Sequence, residues 1–138
     1  MNNFPALNKL RVLVVDDNAD TLELVSFILE EYGTEVITAA SATEAIAAIA
    51  QFNPNILISD IAMPGVDGYS LIRKVRTLSS ERGGQIPAIA LTAYASEEER
   101  SRLLDSGFQM HIAKPVDPAK LVAVVANLAQ THLELDER

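Results

Sequence analysis

Five polar residues stand at or just after the ends of apolar runs along the chain. They are Asp16, Asp17, Asp60, Thr92 and Lys114. In an open parallel sheet, ligands bind in the crevice outside the carboxyl ends of the strands. If the apolar runs are neighbouring parallel strands, three carboxylates, one hydroxyl and one ammonium group converge at one edge of the sheet.

The chemistry expected of such a cluster is metal-assisted phosphoryl transfer. Three carboxylates in one place repel each other and Lys114 supplies a single positive charge, so a further cation is needed to keep all three ionised. Mg²⁺ suits the site, since it binds one or two carboxylates together with waters and phosphate oxygens. One carboxylate can then attack phosphorus, while Mg²⁺, Lys114 and the Thr92 hydroxyl neutralise the oxygens of the transferred group.

Alternating strands and helices are needed to position these residues. The apolar runs are continuous, which is typical of parallel strands buried on both faces. They span residues 12–15, 36–37, 56–58, 86–91 and 110–113. Capping signals mark three helix starts: Ser41 with Glu44, Ser96 with Glu99, and Asp117 before Pro118. Strand followed by helix, five times, predicts an α/β fold with a doubly wound parallel sheet and helices on both faces.

The composition excludes several other classes of protein. The 138 residues suit one domain, predicted over 10–130 with short tails at 1–9 and 131–138. The absence of cysteine excludes disulfides, thiolate metal sites and cysteine nucleophiles. A net charge of −8, with 5% aromatic residues and no tryptophan, disfavours binding to nucleic acid or anionic membranes. The sequence contains neither a signal-peptide pattern nor an apolar run of membrane length, so we expect a cytoplasmic protein.

Four segments resemble motifs of the receiver domains of two-component response regulators. They are Val12–Asp17, Asp60–Gly68, Leu91–Ala93 and Lys114–Pro115. Their order and spacing across about residues 10–129 make the resemblance specific. Segments 91–95 and 107–111 are also similar to receivers attached to hybrid histidine kinases. The resemblance implies a flavodoxin-like five-stranded sheet with strand order 2-1-3-4-5.

The resemblance also implies a role for each residue of the cluster. Asp60 corresponds to the phosphoacceptor, and Asp16 and Asp17 correspond to the acidic pair that holds Mg²⁺, with Asp17 as the expected direct ligand. Ala62 stands where such domains offer a backbone carbonyl to the metal. Lys114 corresponds to the lysine that pairs with the phosphoryl group, and the family often has a cis peptide bond after it.

Two further residues correspond to the switch of the family. Thr92 matches the hydroxyl that moves toward the phosphoryl group, and His111 stands where many receivers have a Tyr or Phe that changes rotamer. The implied partners are a histidine kinase or a histidine phosphotransfer protein. A downstream protein is expected to bind the face formed by the fourth helix, fifth strand and fifth helix.

Two departures from the family pattern concern the lifetime of the phosphorylated state. Ala62 and Tyr94 occupy positions that flank the approach of the hydrolytic water in this family. Ala62 cannot orient a water and Tyr94 is bulky. We therefore expect a longer-lived phosphorylated state than in receivers with polar residues at both positions.

Other functions are possible for such a sequence. An aspartyl-phosphate hydrolase of the haloacid-dehalogenase type needs an acid two residues after its nucleophile, and Asn18 stands at that position after Asp16. A degenerate receiver that only docks would not need the complete set of five polar residues. No output-domain motif follows the fifth helix, so the chain is expected to be a stand-alone receiver or a piece of a larger protein. A multiple-turnover enzyme is not expected.

Overall fold

Five short parallel strands form one sheet in the computed structural model, which describes residues 5–63, 65, 67–93 and 96–136, with side chains up to residue 131. The strands are β1 (Arg11–Val15), β2 (Glu35–Ala39), β3 (Ile56–Asp60), β4 (Ala88–Thr92) and β5 (Met110–Ala113). Their order is β2-β1-β3-β4-β5, and each neighbouring pair is parallel. The predicted α/β class and the 2-1-3-4-5 order are confirmed.

Five α-helices follow the strands within the described residues. They are α1 (Ala19–Glu30), α2 (Ala42–Phe52), α3 (Gly68–Thr77), α4 (Glu97–Ser106) and α5 (Pro118–Asp136), with short 3-10 turns at Pro5–Leu7 and Ser80–Arg82. Apolar residues of α1 and α5 pack on one face of the sheet, and those of α2, α3 and α4 pack on the other. No helix in this part of the chain is both long and apolar enough to cross a membrane.

The central strands are buried on both faces, which explains their continuous apolar runs. Every residue of β3 and β4 is buried. In β1, Leu13 faces the layer of α2 and α3, whereas Val12 and Val14 face the layer of α1 and α5. The run predicted to begin at residue 86 becomes a strand only at Ala88. Pro87 lies just before the strand, because proline has no backbone N–H to donate to a neighbouring strand. Its carbonyl still accepts a hydrogen bond from the Leu57 amide (2.9 Å).

Helices α2, α4 and α5 begin at the predicted capping residues. Ser41 Oγ accepts a hydrogen bond from the Glu44 amide (3.2 Å), and Ser96 Oγ accepts one from the Glu99 amide (3.2 Å). The Asp117 carboxylate accepts one from an amide in the first turn of α5 (3.3 Å). These bonds satisfy amides that the helix itself leaves without a partner, so each capping residue sets where its helix starts.

The ordered structure extends beyond residues 10–130 at both ends. Leu7 is fully buried in the layer of α1 and α5, and its carbonyl accepts a hydrogen bond from the Thr34 hydroxyl (2.9 Å). The Lys9 amide donates to the Gly33 carbonyl (2.9 Å). At the other end, α5 continues to Asp136. The domain bounds of 10–130 stay a prediction. The burial of Leu7 could not be predicted from the sequence, because a single apolar residue that is buried by distant elements shows no local pattern.

Candidate functional site

The predicted site residues meet at the carboxyl edge of the sheet. Asp16 directly follows β1, Asp60 and Thr92 end β3 and β4, and Lys114 directly follows β5. The parallel register keeps these strand ends level, with the final pairs Val15–Ser59, Asp60–Leu91 and Thr92–Ala113. In open α/β sheets the crevice outside the carboxyl ends of the strands is where ligands bind, and these residues line that edge.

Three carboxylates form the centre of the site. One oxygen from each of Asp16, Asp17 and Asp60 lies within 4.8 Å of the other two. Asp16 is fully buried and Asp60 is 4% exposed, whereas Asp17 is exposed to solvent. Charges that are removed from water repel one another more strongly, so this cluster favours a cation among the three carboxylates.

Lys114 supplies one such cation. Its Nζ lies 3.0 Å from Asp16 Oδ2 and 3.2 Å from Asp60 Oδ1. The Lys114 side chain is 27% exposed, so it can contact an incoming anion while it remains paired. The peptide bond between Lys114 and Pro115 is cis, as expected from the sequence resemblance.

Burial and ion pairing have opposite effects on the pKa values of Asp60 and Lys114. Burial and the negative charge of Asp16 raise the pKa of Asp60, and together they outweigh the effects of Lys114 and of the Ala62 amide. Burial lowers the pKa of Lys114, but its hydrogen bonds and charge interactions with Asp16 and Asp60 more than compensate and leave that pKa raised. A second cation beside Asp60 would favour its ionised form.

Two turns hold the carboxylates in place. Asp16 Oδ1 accepts a hydrogen bond from the Asn18 amide (2.9 Å), and Asp60 Oδ1 accepts one from the Ala62 amide (3.3 Å). The Asn18 side chain also caps α1 by accepting hydrogen bonds from two amides of its first turn. This role of Asn18 was not predicted from the sequence, although asparagine is among the preferred N-cap residues.

The donor set fits Mg²⁺. Hard carboxylate oxygens from three residues lie close together, and one ammonium group does not balance their charge. The exposure of Asp17 leaves one side of the cluster open to the waters that Mg²⁺ retains. Asp16, Asp17 and Asp60 are thus the residues that would hold the metal, and the contribution of the Ala62 carbonyl stays a prediction.

Thr92 and His111 lie on the two strands beside the cluster. Thr92 is buried, and its carbonyl accepts a hydrogen bond from the Lys114 amide (2.8 Å). His111 is half-buried, and its pKa is lowered by burial and by the positive charges of Arg100 and Lys120. The ring is therefore neutral at neutral pH. The switch roles of both residues stay predictions, and Tyr94, like Pro64 and Val66, lies outside the described residues.

Gly68 packs directly against the backbone that follows the nucleophile candidate. Its amide donates to the Ile61 carbonyl (2.9 Å). A Cβ atom added to Gly68 would lie 2.3 Å from the Asp60 carbonyl oxygen and 2.8 Å from Ile61 Cα. Both contacts are with backbone atoms of a buried strand end, which cannot move aside as a flexible side chain would. Only glycine allows α3 to start so close to Asp60.

Gly68→Ala is expected to destabilise the protein by about 1–3 kcal/mol, because overpacking a rigid site costs more than alanine gains in helix propensity. Urea unfolding monitored by circular dichroism measures this change. Ser70→Ala, two residues further along α3, is the matched control and should change the free energy of unfolding by less than about 1 kcal/mol. Equal stability of Gly68→Ala and the wild type would contradict the close backbone contact.

Comparisons with known proteins agree on one family. The family model for the response regulator receiver domain matches residues 12–126. An uncharacterized 14.6 kDa protein of Leptolyngbya boryana is 47% identical over 119 residues, which cover 86% of this chain and 89% of that protein. The sensor protein GacS of Pseudomonas syringae pv. syringae is 37% identical over 116 residues, which cover 83% of this chain but only 13% of GacS.

Solved structures agree with these sequence matches. A CheY-like response regulator receiver domain protein from Methanospirillum hungatei superposes with a TM-score of 0.81 at 32% identity, over 91% of this chain and 97% of its own. The chemotaxis response regulator CheY4 of Vibrio cholerae superposes with a TM-score of 0.81 at 29% identity, over 88% of this chain and 99% of its own. The likeness thus extends over nearly the whole chain.

Proposed function

Because the chain belongs to the response regulator receiver domain family, we propose that it accepts a phosphoryl group on Asp60 and thereby changes its contacts with other proteins. The observation that supports this most is the placement of Asp60 in the acidic cluster with Lys114 Nζ only 3.2 Å away. A carboxylate nucleophile, a cation for the transferred oxygens and ligands for a metal are thereby present together.

The proposed reaction is a single transfer. An Asp60 carboxylate oxygen forms a bond to phosphorus as the P–N bond of a phosphohistidine breaks, and the histidine ring nitrogen keeps the electron pair. Lys114 pairs with one oxygen of the phosphoryl group, and the Thr92 hydroxyl donates to another. The Asp16, Asp17 and Asp60 carboxylates and the Ala62 carbonyl would hold Mg²⁺, which would supply the remaining charge neutralisation when bound. Each chain accepts one phosphoryl group and is not a multiple-turnover enzyme.

The proposed phosphodonor is a histidine kinase or a histidine phosphotransfer protein. Receiver domains of this kind interact with such proteins, and the match to the sensor protein GacS places this chain among relatives that include sensors. We propose the face formed by α4, β5 and α5 as the surface that a downstream protein binds, since it contains His111 and adjoins Thr92. Nucleic acid and membranes are not among the proposed partners, and a cytoplasmic location stays a prediction.

The alternative of an aspartyl-phosphate hydrolase has less support. That chemistry would need an acid at position 18, whereas the Asn18 side chain accepts hydrogen bonds from the first turn of α1. A receiver that only docks would need neither the Lys114 ion pairs nor a complete acidic cluster. We therefore favour phosphoryl acceptance over both.

The experiment that tests the proposal is labelling with acetyl phosphate, a small phosphodonor, followed by intact-mass measurement. We expect one phosphoryl group per chain with Mg²⁺ and none with a chelator. Borohydride reduction and peptide mapping should then assign the modification to residue 60. Uptake that does not depend on a divalent metal, or that maps to another residue, would overturn the proposal.

Mg²⁺ is expected to stabilise the protein through Asp17. A ligand that binds only the folded state at ten times its Kd stabilises by about 1.4 kcal/mol, which a thermal melt detects as a rise in Tm. Asp17→Ala should abolish most of this rise. In the absence of metal, the same variant should be at least as stable as the wild type, because it relieves repulsion within the cluster.

The matched control for the metal prediction is Asp20→Ala. Asp20 lies in the first turn of α1, so its removal also takes one negative charge from this end of the helix. Asp20 is not part of the acidic cluster, and its variant should keep the full rise in Tm with Mg²⁺. Equal loss of the rise in both variants would mean that Mg²⁺ responds to general surface charge rather than to Asp17.

A further inference from the structure

Tyr69, the second residue of α3, forms a hydrogen bond that the proposed phosphoryl transfer does not use. The Tyr69 ring is 4% exposed, and its hydroxyl donates to Glu99 Oε1 at 2.7 Å. Glu99 lies in the first turn of α4, where its amide donates to the capping Ser96 hydroxyl. One side-chain bond therefore ties the start of α4 to the start of α3.

Arg102 completes this cluster. Its guanidinium carbon lies 3.9 Å from the centroid of the Tyr69 ring, in the geometry of a cation–π contact. Burial, followed by the hydrogen bond and charge of Glu99, raises the pKa of Tyr69 to about 12. The hydroxyl is therefore protonated at neutral pH and donates to a carboxylate, which makes a stronger bond than one between neutral partners.

The bond joins the two backbone segments next to the site. On the α3 side, Gly68 precedes Tyr69 and its amide donates to the Ile61 carbonyl, one residue after Asp60. On the α4 side, the helix begins at Glu97, five residues after Thr92. The proposed function requires the Thr92 hydroxyl to reach a phosphoryl group on Asp60. If this displaces the first turn of α4 from α3, the displacement must stretch or break the Tyr69–Glu99 bond, so the bond opposes it.

We propose that Tyr69 is a positioning residue that holds the first turn of α4 against the start of α3 and so lowers the affinity of the Asp60 site for a phosphoryl group. This inference rests on the proposed function. It follows that loss of the Tyr69–Glu99 bond shifts the equilibrium toward the liganded arrangement without any change in the residues that contact the phosphoryl group. The site should then bind a phosphoryl mimic more tightly.

The test is a titration with beryllofluoride, a tetrahedral phosphoryl mimic, at saturating Mg²⁺, monitored by amide chemical shifts. Tyr69→Phe is expected to lower the beryllofluoride concentration at half-saturation by about two- to tenfold, the effect of one hydrogen bond. Glu99→Gln should lower it by less, because the glutamine amide oxygen still accepts from the Tyr69 hydroxyl but without the negative charge. The double variant should show no decrease beyond that of Tyr69→Phe, because that substitution already removes the bond. Tyr69→Phe keeps the buried ring and should keep the fold, which urea unfolding checks.

Glu98→Gln is the matched control. Glu98 precedes Glu99 in the same first turn and is exposed, so its substitution removes the same charge without removing the bond to Tyr69. Its midpoint should equal that of the wild type. Unchanged or weaker binding in Tyr69→Phe and Glu99→Gln, or an equal shift in Glu98→Gln, would overturn the inference. Wild-type protein that does not bind beryllofluoride at all would instead overturn the proposed function, and this inference with it.

Discussion

Asp60→Asn is expected to abolish phosphoryl uptake from acetyl phosphate in the presence of Mg²⁺. The amide has nearly the same shape as the carboxylate but no charged oxygen to attack phosphorus. Intact-mass spectra should contain only the unmodified chain. Asp105→Asn, at an exposed position near the end of α4, is the control and should take up phosphate like the wild type.

The same variant should remain folded, which keeps the labelling result interpretable. The pKa of Asp60 is raised above its ordinary value of 3.8 by burial and by Asp16. Asp60 therefore contributes stability that is fully present below pH 3.8 and is lost as the pH rises through its raised pKa in the folded state. Asn cannot ionise, so the variant should lack this loss and be at least as stable as the wild type at neutral pH. Undiminished phosphate uptake by Asp60→Asn would show that another residue is the nucleophile.

The residues at the carboxyl edge of the sheet could be predicted from the sequence, because their placement follows from local patterns. A continuous apolar run such as 56–58 indicates a strand buried on both faces, and the polar residue that ends it must leave the sheet at the carboxyl edge. The same rule predicts that Asp16, Thr92 and Lys114 lie at this edge. The order of the strands, by contrast, came from the family resemblance, since periodicity does not specify which strands are neighbours.

The features that were not predicted depend on contacts between distant parts of the chain. Tyr69 and Glu99 are 30 residues apart and meet only because α3 and α4 pack side by side. Leu7 is buried by α1 and α5, although nothing in its own segment indicates a core residue. The close approach of Gly68 to Asp60 likewise depends on the path of the turn between β3 and α3. Local pattern therefore predicts which residues reach the site, whereas packing decides what positions them.

Lys114→Met is expected to weaken both folding and phosphoryl transfer. The substitution leaves Asp16 and Asp60 without the ammonium group that lies 3.0 Å and 3.2 Å from them. Loss of one partner of a fully buried ion pair costs about 3–5 kcal/mol. Because Lys114 is 27% exposed, we expect a smaller loss of about 1–3 kcal/mol in the free energy of unfolding without metal.

Lys114→Met should lower the rate of phosphoryl transfer more strongly than it lowers the stability of the fold. Lys114 is the protein's own cation beside the carboxylate that is proposed to attack phosphorus. Removal of a group that stabilises developing charge typically slows a reaction by about 10²–10³-fold. The rate of labelling by acetyl phosphate at saturating Mg²⁺ measures this directly. Lys120→Met, at an exposed position in the first turn of α5, is the matched control and should label at the wild-type rate.

A second substitution isolates the effect of Lys114 on stability. Asp16→Asn added to Lys114→Met removes the buried charge that the lysine leaves unpaired, so most of the stability lost without metal should return. The slow labelling should persist, because no cation has been restored beside Asp60 and the metal site has lost the Asp16 carboxylate. Mg²⁺ should also raise the Tm of Lys114→Met more than that of the wild type, since the metal then compensates a larger excess of negative charge. Recovery of the labelling rate along with stability in the double variant would mean that Lys114 acts only by maintaining the fold.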